Sequence, residues 1–161
     1  MKTIAAEDIE ALMCQMDQAS TDQAQQVAAR MQSQQPYIMV YLLAAEEQAD
    51  EGAEPGWLLW LGGVICEAAA RAHPRLRQVA GDDLLAAEEK NVQMLEKLED
   101  GSEMDFVAAV ERLLSTYNQQ PLLGAVLAAL MAGHEEAPEL APDNIGVALL
   151  HLKTVIDCLD Q

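Results

Sequence analysis

Three histidines, His73, His134 and His151, are the side chains of this sequence best suited to bind a metal or move a proton. A carboxylate-bridged metal site in a helical bundle needs a glutamate three residues before its histidine. Alanine or methionine stands at those three positions, and neither His-x-x-x-His nor Cys-x-x-Cys spacing occurs. The acidic pairs, such as Glu88-Glu89, are adjacent in sequence and would diverge on a helix. We therefore expect no metal site and no cofactor.

Nucleophilic catalysis would need a histidine within hydrogen-bonding distance of a serine or cysteine. Cys158 follows His151 by seven residues, which places the two on nearly the same helical face but about 10 Å apart. That distance is too long for a hydrogen bond. Gly62-Gly63 lacks the further glycines and the lysine of nucleotide-binding loops, and favours close approach of a neighbouring helix instead. The sequence favours a protein that is not an enzyme, with an unrecognised helical active site as the open alternative.

Four aromatic residues are spaced to share a surface. Tyr37 and Tyr41 are four residues apart, and Trp57 and Trp60 are three apart, so each pair lies on one face of its helix. The two pairs could line one surface between adjacent helices, and core packing is the simpler interpretation. A pocket for a small apolar ligand, lined by Tyr41, Trp57 and Trp60, is the alternative.

Four basic residues form a cluster within seven positions of an otherwise acidic sequence. They are Arg71, His73, Arg75 and Arg77. Cations are favoured at the carboxyl end of a helix, which is one explanation. The functional alternative is a docking point for an acidic group, including the acidic surface of a second copy of the chain.

The elements that would position these residues are all helical. The chain has 161 residues, of which 51% are hydrophobic, and only six residues are aromatic. Its apolar content is mainly Ala, Leu, Val and Met, and no alternating strand pattern occurs. We expect an all-α fold of about eight helices, forming one domain over residues 1–161 as a compact bundle or short repeat array.

Apolar periodicity, caps and prolines predict where the helices lie. Ser20 and Gln23 form a capping box, Pro36, Pro121 and Pro142 open helices, and Gly101 and Gly133 end them. The predicted spans are 6–18, 20–35, 36–50, 57–72, 82–101, 102–117, 121–133 and 142–159, with loops at 51–56 and 134–141. The third helix is apolar all round, which predicts that it is buried.

The two halves of the chain, about 1–73 and 82–161, resemble each other. Gln34-Gln35-Pro36 matches Gln119-Gln120-Pro121, and the cap Ser20 matches Ser102. Each triplet precedes the most apolar helix of its half, and an acidic loop and another apolar helix follow. This pattern predicts two related four-helix units, with residues 6–50 and 87–135 superposable.

The net charge of −18 limits the possible partners. Residues 1–73 carry 11 acids and 3 bases, and the rest carry 16 acids and 6 bases, so the charge is spread over both halves. A field of this sign repels nucleic acid and anionic lipid. A solvated acidic surface is the simplest interpretation, and mimicry of DNA is the sharper alternative.

Cysteine content and hydropathy point to a cytoplasmic protein that has no membrane partner. The three cysteines, Cys14, Cys66 and Cys158, are widely spaced inside apolar helical stretches, which predicts free, buried thiols. Acidic residues precede any apolar run at the start, unlike a signal peptide. The uncharged run at 55–66 is too short to cross a membrane.

Function is not readable from any motif. The sequence contains no recognisable catalytic arrangement, and its helices have an excess of apolar surface. These two features favour an interaction or adaptor protein whose partner is a second copy of the chain or another protein. The helix at 57–70 is apolar on more than one face, so we expect a homodimer that buries part of it, including Trp60, and that weakens at low salt.

Overall fold

The computed structural model describes residues 1–48, 56–99, 114–136 and 142–161, and within them it contains helices and no β-strand. The prediction of an all-α fold is confirmed. Residues 114–116 are helical, and the other helices of the described ranges are α1 (Ala6–Asp17), α2 (Thr21–Gln34), α3 (Pro36–Gln48), α4 (Trp57–Ala72), α5 (Gly81–Glu99), α6 (Gln120–Glu136) and α7 (Pro142–Leu159).

Most helix starts follow from local chemistry. The Ser20 side chain accepts the Gln23 backbone N–H, and the Gln23 side chain accepts the Ser20 N–H, so the predicted capping box is confirmed. Pro36 and Pro142 begin α3 and α7, as predicted. Gly56 precedes α4 with a φ of 89°, a left-handed conformation that a side chain would disfavour.

Three boundaries differ from the predictions. Gly133 does not end α6, which continues to Glu136, because one glycine costs too little to stop an otherwise favourable helix. Helix α5 begins at Gly81, and Asp83 lies in its first turn, where its carboxylate accepts the Ala80 N–H. Helix α6 begins at Gln120, one residue before the predicted start. The predicted features at 49–55, 100–113 (with Gly101 and Ser102) and 137–141 lie outside the described residues.

Helices α4 and α7 contact each other and supply about half of the buried apolar residues. Residues 61–66 of α4 and 152–156 of α7 are buried without interruption. A Cβ at Gly62 would overlap the Leu42 side chain, and one at Gly63 would lie 3.3 Å from Val27 Cγ1. The glycine pair therefore admits α2 and α3 close to α4, as its sequence suggested.

Helix α3 is not buried all round, contrary to the prediction. Ile38, Leu42 and Ala45 face the core, but Val40 is 65% exposed and Tyr37 is 53% exposed. Among the described helices, α3 contacts α2, α4, α5 and α7 on its inner sides, and none of them covers its outer face. Apolar composition all round a helix predicts burial only if enough neighbours are available, and α4 and α7 occupy the central positions.

A buried glutamine precedes α3 and holds the non-helical segment between α4 and α5. The Gln35 side-chain amide donates to the carbonyl oxygen of Arg77 at 2.9 Å, and its oxygen accepts the Val79 N–H at 2.9 Å. Gln35 is therefore bound to two backbone groups of the segment that leads into α5.

A second buried glutamine makes the reciprocal contact. The Gln119 amide donates to the Lys2 carbonyl oxygen at 3.2 Å, and its oxygen accepts the Ile4 N–H at 3.1 Å. Gln119 immediately precedes α6, and residues 2–4 lead into α1. Gln35 of the first half therefore holds the segment that leads into the second half, and Gln119 of the second half holds the segment that leads into α1.

We call these contacts of Gln35 and Gln119 the glutamine clamps. They change which residues of the two halves correspond to each other. The matched triplets would pair Gln35 with Gln120, whereas the structure gives Gln35 and Gln119 the same role. Gln34 and Gln120 are both exposed. The superposition of two related halves stays a prediction, and the reciprocal clamps support it.

We expect Gln119→Leu and Gln35→Leu each to lower the free energy of unfolding by about 1–3 kcal/mol, because each leaves buried backbone groups unpaired. The exposed neighbours provide matched controls, so Gln120→Leu and Gln34→Leu should change stability by no more than about 0.5 kcal/mol. Urea unfolding followed by circular dichroism measures all four. Equal effects within a pair would show that the clamps do not contribute to stability.

Candidate functional site

The structure binds most of the basic cluster to groups of the same chain. Glu67 accepts from Arg71 Nε at 3.2 Å and from Arg30 on α2 at 3.1 Å. Arg77 pairs with Asp83 at 3.1 Å, and the His73 ring accepts the Lys2 N–H at 3.0 Å. These contacts favour the interpretation of the cluster as local structure around the end of α4.

The remaining cation, Arg75, is exposed in the turn after α4. The other three residues of the cluster each contact a different group of the chain, so the four residues do not converge on one point. A docking site for an acidic group would need such convergence.

The four aromatic residues do not share one surface. Tyr37 is exposed and approaches Gly81, where a Cβ would lie 3.6 Å from its ring. Tyr41 turns inward to contact His151. Trp57 and Trp60 stack with ring centroids 5.4 Å apart and planes 5° apart. The tyrosine pair and the tryptophan pair therefore lie in different surroundings.

An apolar groove runs between the end of α1, α2, α3 and the start of α4, with a cavity volume of about 190 Å³. Its largest lining side chains are Met16, Met31, Met39, Leu59 and Trp60, and its remaining lining residues are Ala19, Ala24, Val27, Ala28, Gly56 and Gly63. Of the predicted pocket residues, Trp60 lines this groove, and Trp57 adjoins it through the stacked ring. We call this feature the methionine groove.

Helix α2, which forms one wall of the groove, is the least buried of the helices around it. Met31 is its one buried residue, and the opposite faces are polar. A second cavity of about 160 Å³ lies along the same helix, between α1 and α4, with Leu12, Gln15 and Glu67 among its lining. Helix α2 has one buried residue, whereas α4 has nine, so α2 is the less closely packed of the two.

A buried polar network joins α5 to α7. Lys153 Nζ donates to Asn91 Oδ1 and Asp157 Oδ2, both at 2.7 Å. The Asn91 amide donates to Asp157 at 2.9 Å and to Thr154 at 3.1 Å. The Tyr117 hydroxyl donates to Asp157 Oδ1 at 2.6 Å. Both oxygens of the carboxylate are thereby bound.

A second polar contact lies beside this network, on the sides of α3, α5 and α7. The Tyr41 hydroxyl is 2.7 Å from Nδ1 of His151, and Glu88 Oε1 is 3.6 Å from the same nitrogen. Burial, and then the Glu88 charge, raises the pKa of Tyr41, while burial lowers the pKa of His151. At neutral pH both groups are therefore uncharged, and the tautomer of the imidazole sets which of them donates.

Tyr117 takes part in the network as a neutral phenol. Burial, with Asp157 as the next cause, raises the pKa of Tyr117, which keeps the phenol a hydrogen-bond donor. The Lys153 ammonium also lies 5.1 Å from the centre of the Tyr117 ring. Because Asn91 of α5 binds both members of the Lys153–Asp157 pair of α7, the network favours one alignment of the two helices. Within the described residues, no group of three His, Cys, Asp or Glu is arranged to hold a metal ion.

Sequence reasoning missed this network. The signal was present in part, because Lys153 and Asp157 are four residues apart within the otherwise apolar run of the last helix. Their partners Asn91 and Tyr117 are distant in sequence, and only the fold brings them together.

The cysteines differ in exposure. Cys66 and Cys158 are buried, as predicted, whereas Cys14 is exposed, contrary to the prediction. Burial, with Glu67 as the lesser cause, raises the pKa of Cys66 to about 12, and burial with Asp157 raises the pKa of Cys158 to about 11. Cys14 lies on the face of α1 that is directed away from Ile9 and Leu12.

No known protein family, curated protein or solved structure matches this chain. Among the helices of the described ranges, none combines the length and apolar content needed to cross a membrane.

We expect one of the three thiols, Cys14, to react quickly with a thiol reagent at mildly alkaline pH. Cys66 and Cys158 should react after denaturation, because burial both blocks access and disfavours the thiolate. Reagent release in native and denatured protein, with Cys14→Ser as the control, measures this difference. Rapid native reaction of two thiols in the Cys14→Ser variant would contradict the burial.

We expect His151 to make stability depend on pH. Its folded pKa lies below its unfolded value of 6.5, so the unfolded state binds the proton first as the pH falls. His151→Gln removes that titration, and the stability of the original chain relative to this variant should decrease as the pH is lowered through 6.5. Urea unfolding at several pH values gives the comparison. A relative stability that rises on acidification would contradict the assignment.

Proposed function

We propose that this protein is a non-enzymatic interaction protein, and that a homodimer formed through the outer face of α3 is its basic assembly. The observation that carries the proposal is an exposed apolar stripe along α3. It consists of Tyr37, Val40 and Leu43, together with the exposed Ala44 beside Leu43. Residues 36–45 of α3 contain no charge. Exposed stripes of this kind mark interaction surfaces.

Charge favours a second copy as the occupant of this face. Twofold association sets the same face against itself, so a charged face would bring like charges together. The outer face of α3 is uncharged over three turns, although the whole chain carries −18. Leu85 of α5 extends the apolar surface, because it lies one turn beyond Gly81, which Tyr37 approaches.

The same evidence moves the proposed interface away from α4. The buried run at 61–66 is covered within one chain, so α4 needs no second copy to shield it. A stable interface buries about 800 Å² on each partner, more than a three-turn stripe supplies. The dimer should accordingly be weak, and repulsion between two bodies of −18 should weaken it further at low salt.

Sedimentation velocity at low and physiological salt tests the proposal. We expect a concentration-dependent dimer that is favoured by salt, and we expect Val40→Asp to weaken it by at least about tenfold, because the variant buries an unpaired charge. Val147→Asp is the matched control, since Val147 is also half exposed but lies on α7. A monomer at all concentrations in physiological salt, or equal effects of both variants, would contradict this function.

A small apolar ligand in the methionine groove is the second candidate, and the apolar lining supports it. Its volume weighs against it, because pockets for drug-sized ligands are typically about 300–1,000 Å³, whereas the groove holds about 190 Å³.

A further inference from the structure

The second cavity along α2 has a lining whose charge differs from that of the chain. It lies between α1, α2 and the later turns of α4, and its volume is about 160 Å³. Of its ten lining residues, Arg30 and Arg71 are basic and Glu67 alone is acidic. The chain has 27 acidic residues and 9 lysines and arginines, so the lining reverses this balance. We call this feature the arginine cavity.

The two arginines converge on one carboxylate from two helices. Glu67 Oε2 accepts from Nε and Nη2 of Arg30 at 3.2 and 3.1 Å, and Glu67 Oε1 accepts from Nε of Arg71 at 3.2 Å. Arg71 thus converges with Arg30 of α2, although it does not converge with the other residues of the basic cluster. Two guanidinium groups share a single negative charge, so the lining carries one positive charge in excess.

The hydrogen-bond acceptors of the lining are mostly occupied. Both oxygens of Glu67 are bound, Gln15 Oε1 accepts from Arg71 Nη2 at 3.0 Å, and Gln23 Oε1 accepts the Ser20 N–H at 2.9 Å. In the part of the chain that the structure describes, the amide nitrogens of these two glutamines and Nη1 of both arginines make no hydrogen bond. The lining therefore offers mainly donors, which suit a ligand with acceptor oxygens.

The remaining lining residues are apolar, and they are less exposed than the polar ones. Leu12 is buried, Met16, Ala19 and Val27 are half-buried, and the lining arginines and glutamines are exposed. The inner side of the cavity is therefore apolar and its mouth is polar. A cavity of about 150 Å³ accommodates a molecule of the size of benzene, so the available space suits a small molecule with one polar end.

We propose that the arginine cavity binds a small monocarboxylate with a short apolar tail, whose carboxylate is bound by Arg30 and Arg71. The tail contacts Leu12, Met16 and Val27. Guanidinium groups bind carboxylates through parallel hydrogen bonds, and the single positive charge in excess matches one carboxylate better than a phosphate group, which carries nearly two negative charges. The cavity is separate from the outer face of α3, so the proposal does not depend on dimer formation.

Hexanoate is the probe, and the signals of isotope-labelled methionine methyl groups show where it binds. Met16 lines both the arginine cavity and the methionine groove, whereas Met39 lines the groove and not the cavity. We expect hexanoate to shift the Met16 signal saturably, with a Kd on the order of 1 mM, and to leave the Met39 signal unchanged. An unchanged Met16 signal, or an equal shift of Met39, would overturn the site.

Three further compounds at constant ionic strength test the chemistry of the ligand. Acetate lacks the apolar tail, hexylamine has the opposite charge, and inorganic phosphate is an anion without a tail. Each should bind at least about tenfold more weakly than hexanoate. Equal binding of hexylamine would reduce the effect to the tail, and equal binding of acetate or phosphate would reduce it to a general attraction of anions. Either result would overturn the proposal.

Substitution of either arginine should weaken the binding of hexanoate. We expect Arg30→Gln and Arg71→Gln each to raise its Kd at least about tenfold, because each removes one guanidinium group from the cavity. Arg77→Gln is the matched control, because Arg77 is also about half exposed and is paired with Asp83, but lies outside the cavity. Equal effects of all three variants would show a general effect of charge and would overturn the site.

Glu67→Gln distinguishes a binding site from an ion network that only holds α2 against α4. The variant removes the carboxylate that competes for both guanidinium groups, so hexanoate should bind at least about threefold more tightly. An ion network with a structural role alone would be disrupted by this variant as it is by Arg30→Gln. Unchanged or weaker binding of hexanoate to the Glu67→Gln variant would overturn the proposal.

Discussion

The number of central positions limits this fold more than any other constraint. The chain has several strongly apolar helices, but α4 and α7 contact each other at the centre, and their mid-sections are buried. Gly62 and Gly63 contribute to the central position of α4, because they let side chains of α2 and α3 reach its backbone. Helices α3 and α6 lie to the sides, where Val40 and Met131 are exposed. The uncharged outer face of α3 is a direct consequence.

Buried polar groups determine how the outer helices sit around that centre. Gln35 and Gln119 each hold an extended segment by its backbone, and Lys153 with Asp157 joins α7 to Asn91 of α5. Apolar packing alone is nearly indifferent to a small sliding of helices, whereas a buried group without its partner is costly. These contacts therefore help to specify one arrangement of the helices.

Sequence reasoning succeeded where the cause is local. The Ser20 cap and the Pro36 and Pro142 starts each depend on a few neighbouring residues. It failed where the outcome depends on competition between distant elements. Helices α3 and α4 look equally apolar, and only their neighbours decide which of them is central.

The residues of the candidate site also divide into those that the sequence singles out and those that only the fold brings together. Trp60, which the sequence singles out, lines the groove, but its groove partners Met16 and Met39 look like ordinary core residues in the sequence. The inward turn of Tyr41 depends on His151, which is 110 residues away. A pattern of spacing within one helix carries no information on such a partner.

The central claim is that the outer face of α3 is open in one chain and is covered by a second copy. Hydroxyl-radical footprinting of dilute and concentrated protein, read out by mass spectrometry, tests it most directly. Tyr37 should be modified readily when the protein is dilute and protected when it is concentrated, while the exposed Met131 on α6 is modified equally in both. Protection of Tyr37 already in the dilute monomer, or equal modification at both concentrations, would contradict the account.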